Sequence, residues 1–256
     1  MNTIFETHAH YDHKQYDGDR AELLTSLPSC GVGAVLNVGC SMEASRASVA
    51  LAERYPHVYA TVGVHPHDAK TLTERAMDEL RLLAQHDKVV AFGEIGLDFN
   101  RNFSPPEVQR RWLLRQLELA HDCALPVVIH SRDADEEAFA IIEASPHRRG
   151  VIHAFPGDVA LAERYISLGF FLGIGGILTY DKTGRLRAVV EAMPLDKLLL
   201  ETDCPYLTPV PHRGKRNESV YLSFVVDAIA AIKNTSAEAV RMQTWQNACT
   251  LFGITI

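Results

Sequence analysis

Two histidines two residues apart, His8 and His10, are the first side chains in this sequence that could do chemistry together. On a β-strand alternate side chains share a face, so both imidazoles point the same way and can hold one divalent ion. The bland alternative is a pair of hydrogen-bonded histidines at a strand tip. Glu94 follows the apolar residues 89–93, where a carboxylate needs a cation or another partner if it is buried. His130 follows Pro126-Val127-Val128-Ile129, and His153 follows Gly150-Val151-Ile152. Either one alone reads equally well as a hydrogen-bonded core histidine. Asp203 follows residues 198–202, and alone it reads as a turn or helix-cap Asp ahead of Cys204-Pro205. Together the six form a mixed imidazole and carboxylate set of the kind that zinc, manganese and related ions accept. Six ligands exceed one tetrahedral shell and suit two ions sharing a carboxylate, with Glu94 as the natural bridge.

Eight short β-rich runs place these residues: 3–5, 33–38, 58–62, 89–92, 126–129, 150–152, 170–174 and 197–200. Between them lie helix-periodic segments at 43–54, 73–84, 106–120, 135–143, 159–167 and 183–192, followed by 219–233 and 237–252. Alternation of strand and helix predicts βα units with a parallel sheet, and eight units predict a (β/α)8 TIM barrel. The strands are continuous apolar runs, as strands buried on both faces should be. In such a barrel the site lies at the C-terminal ends of the strands, which is where all six candidate ligands fall. No linker or low-complexity stretch interrupts the chain, so one domain over 1–256 is expected. Trp112, Leu113, Leu117 and Leu119 read as one buried helix face, and Trp245 and Phe252 as contacts of the last helix with the barrel.

Hydrophobic residues make up 47% and charged residues 22% of the 256, which excludes a disordered chain. No long apolar run suggests a membrane span. The formal charge of −7 argues against a bulk basic attraction to nucleic acid or lipid, leaving local patches or bound cations to attract a phosphate. Five scattered cysteines with no CxxC pair indicate neither a disulfide framework nor a cysteine zinc site. Met1 to His10 carries no basic or apolar leader pattern, so a cytoplasmic location is expected.

Taken in order, several short motifs resemble the TatD family of metal-dependent hydrolases along nearly the whole chain. They are Thr7-His8-Ala9-His10, Gly63-Val64-His65-Pro66-His67, Gly93-Glu94-Ile95-Gly96-Leu97-Asp98, Ile129-His130-Ser131-Arg132, His153-Ala154-Phe155, Glu201-Thr202-Asp203-Cys204-Pro205 and Arg213-Gly214-Lys215-Arg216-Asn217-Glu218. Glu6 stands where the family usually has Asp, and Ser219 where a proline usually follows Asn-Glu. The resemblance implies a TIM barrel with two divalent ions (Mg, Mn or Zn). It implies that His8, His10 and Asp203 hold the first, and that Glu94 bridges to a second held by His130 and His153. Family members act as deoxyribonucleases that commonly trim DNA from the 3′ end, and some relatives resemble D-aminoacyl-tRNA deacylases. The expected activity is therefore metal-dependent 3′-5′ hydrolysis of DNA ends, with hydrolysis of D-aminoacyl-tRNA or of a small-molecule ester or amide as the alternative and a non-catalytic metal scaffold as a disfavoured third.

Two nearby cations acidify a water and neutralise charge growing on a phosphoryl or carbonyl oxygen. Asp203, with a second carboxylate oxygen, is the expected base. His65, Arg132 and Arg213 are expected near the substrate, with His67 beside His65. The alternatives are a rigid polar loop for His65 and His67, an ion pair with Asp133, Asp135 or Glu136 for Arg132, and a solvated basic loop for Arg213, Lys215 and Arg216. Glu201 shares a face with Asp203 and could support a ligand histidine. Nothing suggests an obligate protein partner, and a monomer is expected.

Overall fold

The computed structural model describes residues 3–255. Met1 and Asn2, part of the stretch read above for a leader, and Ile256, the end of the expected domain, lie outside the described residues. Eight strands form one all-parallel sheet in sequence order. They are β1 (Ile4–Ala9), β2 (Val32–Asn37), β3 (Val58–Val62), β4 (Val89–Asp98), β5 (Val127–Arg132), β6 (Gly150–Ile152), β7 (Phe171–Ile174) and β8 (Leu198–Leu200). The helices are α1 (Arg20–Ser26), α2 (Met42–Arg54), α3 (Glu74–Leu83), α4 (Pro106–Asp122), α5 (Asp135–Ala144), α6 (Val159–Ser167), α7 (Arg185–Ala192), α8 (Leu222–Lys233) and α9 (Ala237–Phe252). The (β/α)8 barrel expected from the alternation is therefore the observed architecture. Helix α1 was not foreseen, and the first turn of the expected 219–233 helix is a separate 3-10 turn, Ser219–Tyr221.

Side chains close several helix starts. Ser41, Thr73, Asp158 and Ser236 each accept the backbone N–H three residues on, each cap contributing about 1 kcal/mol. The interior of the barrel is a cluster that takes Phe5, Leu36, Val90, Val128, Val151, Phe171 and Leu199 from seven strands. Among the described residues, the only helix that enters that cluster is α9, through Ala248, Leu251 and Phe252, so α9 seals the interior beneath the site. Trp245 joins it against Phe5, at a ring separation of 5.6 Å.

Strands β8 and β1 close the ring just past the end of β8. Asp203 N–H donates to the His8 carbonyl at 2.9 Å, and His10 N–H donates to the Cys204 carbonyl at 2.9 Å. Thr7 Oγ1 also donates to the Leu200 carbonyl at 2.9 Å. The seam of the barrel is thus stitched by the backbone of its candidate ligands.

Strand parity then decides what faces inward. On β5, β6 and β8, counting by two from Val128, Val151 and Leu199 reaches His130, His153, Glu201 and Asp203. On β1 and β4 the same count from Phe5 and Ala91 fails. In β1 the step from Glu6 to Ala9 opposes the shorter step from Val35 to Asn37. In β4 the step from Phe92 to Ile95 opposes the shorter step from Val127 to Ile129. Each strand holds one extra residue at that step, a bulge, which shifts the face by one. Those bulges bring His8, His10 and Glu94 into the interior. Strand β4 carries another where Val89–Ala91 opposes Ala60–Thr61, so that Val90 and Ala91 both reach the interior.

Candidate metal centre

The side chains that the bulges and parity turn inward meet at the C-terminal end of the barrel. His8 Nε2 and His10 Nε2 face each other at 3.2 Å. Glu94 Oε2 lies 3.5 Å from His8 Nε2 and 3.8 Å from His10 Nε2. Asp203 Oδ1 lies 3.4 Å from His10 Nε2 and 3.8 Å from His8 Nε2. The other oxygen of Glu94 serves a second set: Oε1 lies 2.8 Å from His130 Nδ1 and 3.7 Å from His65 Nε2. His8, His10 and Glu94 form one group with metal-ligating spacing, and His65, Glu94 and His130 form another.

His153 sits differently from its partner in the expected pair. Its ring stacks on His8 at 3.4 Å, while His130 is 6.5 Å away between ring centres. Its Nε2 is 3.9 Å from Asp203 Oδ1, and its Nδ1 is 3.1 Å from Glu201 Oε1 but off the line of a hydrogen bond. A third close grouping joins His8, His153 and Glu201.

What lies behind each imidazole shows which nitrogen can bind an ion. His10 Nδ1 is 2.9 Å from the Val38 carbonyl and must carry the hydrogen, leaving the Nε2 lone pair toward Glu94 and Asp203. His130 Nε2 lies 3.3 Å from Asp98 Oδ2, leaving Nδ1 toward Glu94. Glu201 takes the same place behind His153, where it also accepts the Ala154 N–H. Gly173 makes room for that carboxylate, because a Cβ there would lie 2.2 Å from Glu201 Oε2. The buried Nδ1 of His8 and of His153 have no hydrogen-bond partner. The imidazole nitrogens and carboxylate oxygens that converge within ligating distance of one another fit a divalent cation.

The charges alternate. Burial would raise the Glu94 carboxyl, but His65, His130 and His8 outweigh burial and hold it well below the usual range. Burial would lower His10, but Asp203 pushes it up to about 9. Burial would likewise lower His153, and Glu201 pushes it up to about 10. His130 is raised by Asp98 and Glu94 against its burial. His8 is lowered by its burial and by His153. Protons and divalent cations therefore compete for the same lone pairs. Asp203 is among the more open members of the set, its side chain 19% exposed against 5% for Glu94.

Asp98 was not foreseen as a site residue. Its Oδ2 receives both His67 Nε2 at 2.8 Å and His130 Nε2 at 3.3 Å. The signal was available as parity, since 94, 96 and 98 share a face of β4 beyond its bulge. Two buried glutamines on α4 were also missed. Gln109 pairs with the N–H and carbonyl of Asp98, and Gln116 does the same for Val64. They fix the two segments that carry Asp98 and His65.

The expected substrate contacts divide. His65 and His67 lie at the mouth, His65 buried and His67 beside the exposed Phe103 at 4.8 Å between ring centres. The Arg132 side chain is exposed on the end of β5, outside every ion pair among the described residues. Arg213 lies on the Tyr180 ring, 3.8 Å from its centre, and donates to the Thr208 carbonyl. Arg216 is held by Asp19 and Glu218, so it is a structural tie. Ser219, which stands where a proline is usual in the TatD family, makes a tight contact: its Oγ lies 2.8 Å from the Tyr11 hydroxyl.

Comparison with known proteins places this arrangement. A family model described as TatD related DNase matches residues 5–253. The chain is 37% identical over 253 residues to an uncharacterized metal-dependent hydrolase, YabD, of Bacillus subtilis, covering 98% of this chain and 99% of that one. It is 38% identical over 256 residues to the 3′-5′ ssDNA/RNA exonuclease TatD of Cronobacter sakazakii, covering 97% of each. Among solved structures, the TatD homologue YjjV of Escherichia coli K12 superposes with a TM-score of 0.92 at 32% identity, over 98% of both chains. An uncharacterized amidohydrolase of Saccharomyces cerevisiae shares the fold, with a TM-score of 0.85 at 21% identity over 98% of this chain and all of that one.

Proposed function

The chain belongs to the TatD-related DNase family of metal-dependent hydrolases, and from that premise we propose that it removes nucleotides from the 3′ end of single-stranded nucleic acid. The observation that carries the reading is Glu94, whose two oxygens face two separate histidine groups. That geometry suits two divalent ions (Mg, Mn or Zn) about one bridging carboxylate. His8, His10, Glu94 and Asp203 would hold the first ion, and Glu94 with His130 the second. His153 would join from beside His8. Bound there, the ions would acidify a water and neutralise charge on a phosphoryl oxygen.

The rest is supplied by the chain's own side chains. Asp203 reaches the opening, so its second oxygen can take a proton from the attacking water and fix that water's direction. Asp98 and Glu201, behind His130 and His153, keep the imidazoles oriented. The buried interior beneath, closed by Phe5, Phe171 and α9, keeps bulk water from reaching the site from below.

A 3′-labelled single-stranded DNA assay with magnesium or manganese tests the reading. Stepwise loss of 3′ nucleotides by the wild type, abolished in Glu94→Ala, is the expected result. Full metal loading without cleavage of single-stranded DNA or RNA would refute it and direct the search to acyl esters such as D-aminoacyl-tRNA.

A further inference from the structure

His65 has metal-ligating spacing to Glu94 and His130, yet its hydrogen-bonding polarity is the reverse of His10's. It precedes the 3-10 turn Pro66–Thr71, and its Nδ1 accepts the backbone N–H of His67 at 3.1 Å. A peptide N–H can only donate, so Nδ1 holds a lone pair and the single hydrogen of the neutral ring sits on Nε2. The turn cannot readily release this arrangement. The His65 N–H is tied to the Cys40 carbonyl, and Gln116 clamps both backbone groups of Val64. Flipping the ring would strand the part-buried N–H of His67. The ring is wedged edge-on between His67 and His130, each 4.3 Å away between centres.

The hydrogen on Nε2 therefore points into the cleft. Its nearest acceptor is Glu94 Oε1 at 3.7 Å, beyond hydrogen-bond reach. Resting on the nuclease reading above, we propose that His65 is not a ligand: it donates Nε2–H to a non-bridging phosphoryl oxygen of the substrate beside Glu94. A donor pre-aimed at that oxygen needs no reorganisation when charge accumulates there. Its neighbour His67 commits its Nε2 to Asp98 and does not duplicate the role.

Three measurements test this on the full chain. Nitrogen-15 imidazole shifts of the wild type, before and after zinc, should show His65 as the Nε2–H tautomer in both states. Asparagine is a useful replacement for this histidine, since its carboxamide oxygen can still accept the His67 N–H while the donor leaves the cleft. The His65→Asn protein should keep the wild-type metal content by atomic emission, with His130→Ala as a control that loses metal. It should bind inorganic phosphate, and turn over single-stranded DNA, about 10- to 100-fold more weakly, as expected for a hydrogen bond to a charged group. Loss of metal from His65→Asn, a zinc-bound shift at Nε2, or unchanged phosphate binding would each overturn the proposal. A wild type that binds phosphate through His65 but cleaves no nucleic acid would refute the nuclease reading and leave the donor standing.

Discussion

Substituting Gly173 by alanine should damage the metal centre without touching a candidate ligand. An added Cβ would lie 2.2 Å from Glu201 Oε2, 2.6 Å from its Cδ and 2.9 Å from Oε1. Ordinary contact needs roughly 3.5 Å, so the carboxylate must retreat by about 1 Å. It is buried, it accepts the Ala154 N–H, and it sits behind His153, so it has nowhere free to go. Overpacking of this kind costs about 1–3 kcal/mol, and stranding the Ala154 donor adds about 1–3 kcal/mol. A net loss of about 2–6 kcal/mol would lower Tm by roughly 5–20 °C for a chain of this size. His153 would lose its orienting carboxylate, and metal affinity should fall about 10- to 100-fold. The assay is a double-mutant cycle with Glu201→Ala, read by thermal unfolding and by metal titration. Removing the carboxylate clears the space, so Gly173→Ala should cost less than about 0.5 kcal/mol in that background. An equal cost in both backgrounds would show that the clash lies elsewhere and would refute the reasoning.

Two further outcomes follow from the electrostatics. Glu94→Gln keeps the shape but removes the charge shared by both histidine groups; metal affinity should fall by at least about 100-fold, as when one partner leaves a buried charged cluster, and equilibrium dialysis reads it. In the metal-free protein, His10 at about 9 and His153 at about 10 are both raised above the ordinary histidine value. Their stabilisation is complete below about pH 6.5 and is lost as pH rises through the raised values, so Tm measured in chelator should fall from about pH 6.5 to about pH 10. Saturating metal displaces those protons and should flatten that slope.

The sequence carried the fold because its signals were local and redundant. Apolar strand runs alternated with helical periodicity, and each candidate ligand sat directly behind such a run. On β5, β6 and β8 simple parity turns His130, His153 and Asp203 inward, as the structure has them. The bulges at Thr7–His8 and Gly93–Glu94 were not legible, since an extra residue is defined only against its partner strand. The same holds for Gln109 and Gln116 on α4, which commit both ends of their carboxamides to the backbone of Asp98 and Val64. The pairing of His153 with His8, closer than with His130, depends on how neighbouring strands are staggered, and no single run encodes that.

The stitched seam between β8 and β1 has a consequence for how the molecule comes into being. Thr7 and Leu200, joined across it, are 193 residues apart in the chain. During synthesis His8 and His10 emerge early, and Asp203 follows only when most of the barrel has left the ribosome. The complement proposed for the first ion cannot exist until the two ends of the sheet have met, so capture of an ion there would report ring closure and stabilise the closed state by mass action. Closing a loop of this length is among the slower steps available to a chain. Metal present during refolding should therefore act on the last stage, by holding the ring shut, and leave the early assembly of the β2–β6 arc unchanged.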